Sequence, residues 1–237
     1  VVYHDRYQLY YFNTYRRRRF KLMCLAVLVK PGGVFTEEQA AEAFKCNSDG
    51  AGFAFVNNSG DISLYKGYMK FSDFWEAFKG ATESGGKDPE SPIAIHFRIA
   101  TAGRVEKDNC HPFLFNDGTA VAAHNGCLWH GSRADEKSDT REFVEMVSPF
   151  LTEERVADPE KLRKVGHAVA GNKIVLLYKS KNFAIINESQ GHWDEKQLVW
   201  YSNHSYKVWR STMNSTSGYP TGSPYDMRRY DRHAGWE

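Results

Sequence analysis

The 237-residue chain has no run of about 18 or more apolar residues, so no membrane-spanning helix is expected. Its four cysteines, Cys24, Cys46, Cys110 and Cys127, contain no C-x-x-C pair, the spacing of dithiol redox motifs and of common zinc sites. Residues 1–23 lack the roughly 7–15-residue apolar core of a secretory signal. Reduced thiols and a cytoplasmic location follow as expectations. No internal repeat is visible, which excludes solenoid and propeller arrays.

What is present is an ordinary globular composition, 41% hydrophobic and 25% charged, enough for one domain or two small ones. The net charge of +2 is unevenly divided: residues 1–22 carry +5 and the remainder −3. That Tyr- and Arg-rich extension, with Arg16–Arg19 at its centre, has three readings. It is upstream sequence read in frame before a start at Met23, a propeptide, or a basic arm that contacts nucleic acid through phosphates and stacking. The first is preferred, because a methionine immediately precedes Cys24. The expected organisation is an extension over 1–23, a folded domain over 24–210, and a disordered tail over 211–237, where hydrophobic periodicity stops.

Between these ends the pattern predicts strands over 24–30, 53–57, 62–66, 93–97, 120–123, 174–178, 183–187 and 198–202. Helices are expected over 36–46, 71–79, 138–150 and 158–170. Thr36 and Gln39 have the spacing of a capping box. Asn58-Ser59-Gly60-Asp61 closes a hairpin, and 81–92 reads as a polar loop. Grouped strands separated by helices point to an α+β layered fold.

Three places carry chemistry. Cys24 opens an apolar strand directly after Met23. Were it the first residue, its α-amine, with an ordinary pKa of about 7.7–8.0, would serve as base for its own thiol; otherwise it is a small buried hydrophobe. Arg98, just past a buried strand, is placed either to fork a carboxylate or to form a surface ion pair. Asn125-Gly126 is either an oxyanion hole or an ordinary Asn-Gly turn. Cys110, His111, His124, Cys127 and His130 are possible metal ligands, but their spacing does not match the usual zinc patterns, and no metal or cofactor is expected.

Six motifs in order resemble the class II glutamine amidotransferases, which are N-terminal-nucleophile hydrolases. They are Met23-Cys24, Asn47-Ser48-Asp49-Gly50-Ala51-Gly52, His96-x-Arg98-x-Ala100-Thr101-x-Gly103, Asn109-x-His111-Pro112-Phe113, His124-Asn125-Gly126 and Ser138-Asp139-Thr140. The wording around Gly103-Arg104-Val105 and His111-Pro112-Phe113 is similar to small stand-alone members carried by bacteria and their phages.

The resemblance implies a four-layer αββα sandwich with Cys24 as nucleophile and its α-amine as base. Asn125 and Gly126 would stabilise the oxyanion. Arg98 would hold the α-carboxylate of glutamine and Asp139 its α-amino group. Thr101 would help hold the substrate, and His111 would support its loop. Three departures stand beside it. Ala102 occupies a position where amino-sugar-forming members carry His, residues 1–23 precede the nucleophile, and no acceptor-using synthase domain follows. Ammonia would then pass to a separate synthase, or the substrate is another γ-glutamyl or small amide compound. A non-catalytic binding protein with a basic arm is the alternative of a different class.

Overall fold

The computed structural model describes residues 23–101, 103–128 and 138–207. The readings made of the N-terminal arm, Ala102, His130 and the 211–237 tail fall outside this set.

Among the described residues, ten strands form two antiparallel sheets. The first contains β1 (Leu25–Val29), β2 (Ala51–Val56), β3 (Ile62–Tyr68), β4 (Ile93–Phe97), β9 (His192–Trp193) and β10 (Val199–Tyr201), in the order β3-β2-β4-β1-β10-β9. The second contains β5 (Phe113–Phe115), β6 (Ala120–Asn125), β7 (Lys173–Tyr178) and β8 (Phe183–Ile186), in that order. The helices are α1 (Glu37–Cys46), α2 (Phe71–Glu83), α3 (Asp139–Val147), α4 (Glu153–Ala157) and α5 (Pro159–Ala168).

Strand alternation sorts the side chains into three cores. On β1, Leu25, Val27 and Val29 face one way and join Phe53, Ile95 and Phe97 beneath α1 and α2. Ala26 and Leu28 face the other way, with Ala54, Ala94 and Trp200, against Val121, Ala123, Val175 and Leu177 of the second sheet. The outer face of that sheet, with Ala122, Ile174 and Leu176, is covered by Phe143 and Val144 of α3, Leu151, and Val156 of α4. The architecture is therefore the α+β, four-layer αββα sandwich expected. Both sheets are buried on both faces, which is why strands such as Ala51–Val56 read as unbroken apolar runs.

Helix α1 starts with the expected capping box: Thr36 Oγ1 accepts the Gln39 N–H, and Gln39 Oε1 accepts the Thr36 N–H. Helix α2 runs on to Glu83, four residues past the expected end, so the 81–92 loop is shorter than its composition implied. The 138–150 helix divides into α3 and a 3₁₀ turn at Ser148–Phe150, where Pro149 interrupts the ladder. Strands β5 and β9 and helix α4 lie in segments where the sequence predicted no element.

Candidate active site

The site lies at one end of the sandwich, and strand register puts it there. β1 and β4 pair antiparallel with Leu25 opposite Phe97 and Ala26 opposite His96. Cys24, one step before Leu25, and Arg98, one step past Phe97, therefore meet at the same sheet end. Cys24 and Arg98 are both buried. The Cys24 thiol donates to the Ile99 carbonyl at 3.3 Å and receives the Ile99 N–H at 3.4 Å. From the facing sheet comes Asn125, the last residue of β6, paired with Lys173 of β7. Val121 and Ala123 of β6 face the first sheet, so alternation turns Asn125 that way too. Asn125 is thus a buried strand residue, and the Asn-Gly turn reading is corrected.

The segment after β10 joins the two sheets. Ser202 Oγ accepts the Ala26 N–H at 2.9 Å and lies 2.7 Å from Asn125 Nδ2. The Ser202 N–H donates to the Ala26 carbonyl, and Asn203 Nδ2 donates to the Cys24 carbonyl at 2.9 Å. Residues 24 and 26 are thereby held from one dipeptide. The sequence reading missed Ser202 and Asn203; the signal was a polar run, Ser202–Ser205, placed directly against a buried strand.

Burial pushes the Cys24 thiol up to about 11. The Ile99 backbone and the Arg98 guanidinium work against that rise, while the Asp139 carboxylate adds to it. Opposite charges from two elements thus both act at the sulfur. At neutral pH the thiol is protonated, so its use as a nucleophile requires a base.

Arg98 is buried and not on the surface. Its guanidinium donates to the carbonyls of Arg104 at 2.9 Å and Gly103 at 3.4 Å, and its main chain pairs with Asp49 and Gly50. Asp49 Oδ2 accepts the Ala100 N–H at 2.8 Å. Gly50 must be glycine: its φ is +122°, and a Cβ there would meet Cys110 Sγ at 2.3 Å. The Asn47–Gly52 motif is therefore the seat of the Arg98 loop. Asn109 continues this framework, donating to the Arg104 carbonyl and Glu106 while accepting the Ser138 N–H at 2.9 Å. That bond fixes the start of α3, where Asp139 accepts the Leu128 N–H at 2.8 Å.

His111 is buried. Its ring lies 4.0 Å from that of His96, and its Nδ1 accepts the His124 N–H at 3.3 Å. His96 Nε2 lies 2.8 Å from the His124 carbonyl and acts as its donor. His124 Nε2 meets Asn172 Oδ1 at 2.8 Å, and its Nδ1 meets Thr140 Oγ1 at 2.7 Å. An amide oxygen only accepts, so His124 Nε2 donates to Asn172, while the Thr140 hydroxyl stands between His124 Nδ1 and Asp139 Oδ1, 3.3 Å away. Burial lowers the pKa of all three histidines, His96 to about 3. Gly126 follows with φ +149°, and a Cβ on it would lie 2.1 Å from Asn172 Oδ1.

The structure thus gathers Cys24, Arg98, Asn125, Gly126 and Asp139 around one sheet end, with His111 behind them. Thr101 is exposed on the adjoining loop. Among the described residues no three His, Cys, Asp or Glu side chains are grouped to hold a metal ion. Nor is any described helix long and apolar enough to cross a membrane.

No family model matches the chain. It is 25% identical over 148 residues to the glutamine–fructose-6-phosphate aminotransferase [isomerizing] of Streptococcus pneumoniae, in each of two strains. The alignment takes in 58% of this chain and 23% of the relative, so the chain spans about a quarter of the length of the curated proteins it matches. A solved structure, glutamine phosphoribosylpyrophosphate amidotransferase from B. subtilis complexed with ADP and GMP, superposes on 75% of this chain and 41% of that one, with TM-score 0.47 and 16% identity. With six motifs in order along the chain, it is similar to the class II, N-terminal-nucleophile glutamine amidotransferases.

Proposed function

We propose that this domain hydrolyses the side-chain amide of glutamine or a γ-glutamyl compound, with Cys24 as nucleophile in a form of the protein that begins at Cys24. The observation that carries the reading is geometric: the buried Cys24 thiol is bonded to the Ile99 backbone at the sheet end that holds Arg98, with Asn125 of the facing sheet tied to the same strand through Ser202. A zwitterionic α-amino acid needs one group of each sign to hold it.

In the proposed reaction the α-amine of Cys24 takes the thiol proton, and sulfur attacks the amide carbon. The C–S bond forms as the carbonyl electrons move onto oxygen. Asn125 and the Gly126 N–H hold that oxyanion. Its collapse breaks the C–N bond, and the protonated amine supplies the proton with which ammonia leaves. Water then hydrolyses the γ-glutamyl thioester and restores the thiol. With Met23 still attached, the base is an amide nitrogen, and no turnover is expected. Ammonia released here would pass to a separate synthase or to solution.

Intact mass of the protein expressed from its natural start, paired with an ammonia-release assay on glutamine, tests the reading. The expected result is a mass beginning at Cys24, with activity abolished by Cys24→Ala and reduced about 10²–10³-fold in kcat by Asn125→Ala. A panel of amides lacking either the α-amino or the α-carboxylate group should show a raised KM. Equal turnover of the whole panel would overturn the Arg98 and Asp139 assignments. An inactive protein that begins at Cys24 would overturn the glutaminase reading itself.

A further inference from the structure

The contact between Asn125 and Ser202 has a second consequence. Asn125 is fully buried, its Nδ2 lies 2.7 Å from Ser202 Oγ, and its Oδ1 has no hydrogen-bond partner. Ser202 Oγ meanwhile accepts the Ala26 N–H at 2.9 Å. In this arrangement the hydroxyl accepts twice, its own proton is unused, and a buried carbonyl oxygen is orphaned. Rotating the amide by 180° about Cβ–Cγ exchanges its two ends within the same outline. The hydroxyl then accepts from Ala26 and donates to Asn125 Oδ1, so both oxygens at the contact are satisfied and the two amide hydrogens are left for a ligand. The Nδ2 hydrogens then occupy the side that held the orphaned oxygen, away from Ser202.

We propose that Ser202 is a positioning residue that sets the Asn125 amide for catalysis: its hydroxyl, oriented by the Ala26 N–H, holds Oδ1 and turns both amide hydrogens toward the reacting oxygen. Ala26 lies two residues past Cys24, so the same hydroxyl keeps the oxyanion donor in register with the nucleophile. Asn203 has the separate task of holding the Cys24 carbonyl. The kinetic part of this inference rests on the glutaminase reading; the orientation of the amide does not.

Two measurements test it. Neutron diffraction on deuterium-exchanged crystals of the full chain should show the Ser202 hydroxyl deuteron pointing at the Asn125 oxygen. Amide deuterons facing Ser202 would overturn the proposal whether or not the protein turns over glutamine. In the active form, Ser202→Ala should lower kcat about 10²-fold with KM within about twofold, since one oxyanion donor is misdirected. The rate of Cys24 alkylation by iodoacetamide should not change, because that displacement forms no oxyanion. Asn203→Ala should instead alter alkylation and turnover together. Equal losses of alkylation and kcat in Ser202→Ala would mean that Ser202 only supports β1, and would overturn the proposed role.

Discussion

Cys24 illustrates how one side chain can be both a core residue and a reactive one. In its alternation it belongs with Ala26 and Leu28 between the sheets, and its thiol is bonded on both sides to the Ile99 backbone. Burial holds it protonated up to about pH 11, against an ordinary value of 9.0. While Met23 is attached no amine stands beside it, so alkylation of Cys24 by iodoacetamide in the folded chain should rise only as pH approaches 11. In the urea-unfolded chain the same rise should come near 9. Peptide mapping of the alkylated cysteines across pH reads this directly, and a folded-state profile centred near 9 would show that the burial is not felt at the sulfur. Gly126 offers a steric prediction at the same scale. Its φ of +149° excludes most side chains, and an added methyl would press on Asn172 Oδ1 and, at 2.9 Å, on His124 Nε2. Gly126→Ala should therefore separate Asn172 from His124, reduce ammonia release at least 10²-fold, and lower the urea-unfolding free energy by about 1–3 kcal/mol.

At the scale of elements, local chemistry was readable wherever a residue type has a local task. Thr36 and Gln39 announce α1 because each satisfies the other's backbone N–H, and no tertiary contact is needed to see it. Thr36→Ala should accordingly cost about 1 kcal/mol of stability in a urea titration, with no effect on the site at the far end of β1. Strand β4 was read to its ends because Ile93–Phe97 is bounded by Pro92 and the polar Arg98 loop. Less was visible where the decisive contact is distant in sequence. β9 is a two-residue strand defined by pairing with β10, too short for any alternation to show in the sequence. Asn125 looked like half of a turn because Asn-Gly is the commonest hairpin signal; Lys173, 48 residues on, makes it the end of a strand. Ser202 reaches Asn125 across 77 residues and Ala26 across 176, so nothing local marks its task. Nor does the sequence show that the His111 ring lies 4.0 Å from that of His96, a partner 15 residues away on β4.

The whole molecule is a stack of four layers whose middle layer, apolar over most of its length, turns polar at one end. There His96 of the first sheet, His111 just before β5 and His124 of the second sheet form a buried column, with ring centroids 4.0 Å apart for His96–His111 and 6.3 Å for His111–His124. Burial holds all three neutral, and even the nearby Asp139 leaves His124 below 6.5. His96 Nδ1, where a second proton would bind, is buried without a partner, so protonation there creates an unpaired charged donor between the sheets. In the unfolded chain each ring returns to about 6.5. The native state binds fewer protons than the unfolded one below that value, so the stability these rings contribute is whole above pH 6.5 and is lost as pH falls toward 3. Each extra proton bound by the unfolded state steepens the loss by about 1.4 kcal/mol per pH unit. His192 and His204, at the edge of the first sheet, are shifted in the same direction and add to the slope. Asp88 and Asp158 act only below their ordinary 3.8. The urea midpoint should therefore be level from pH 8 to 7 and fall continuously between about 6.5 and 4. A His192→Asn, His204→Asn double variant should retain most of that fall, since the column between the sheets is untouched. A double variant whose midpoint no longer depends on pH would assign the acid sensitivity to the sheet edge and not to the joint between the two halves of the sandwich.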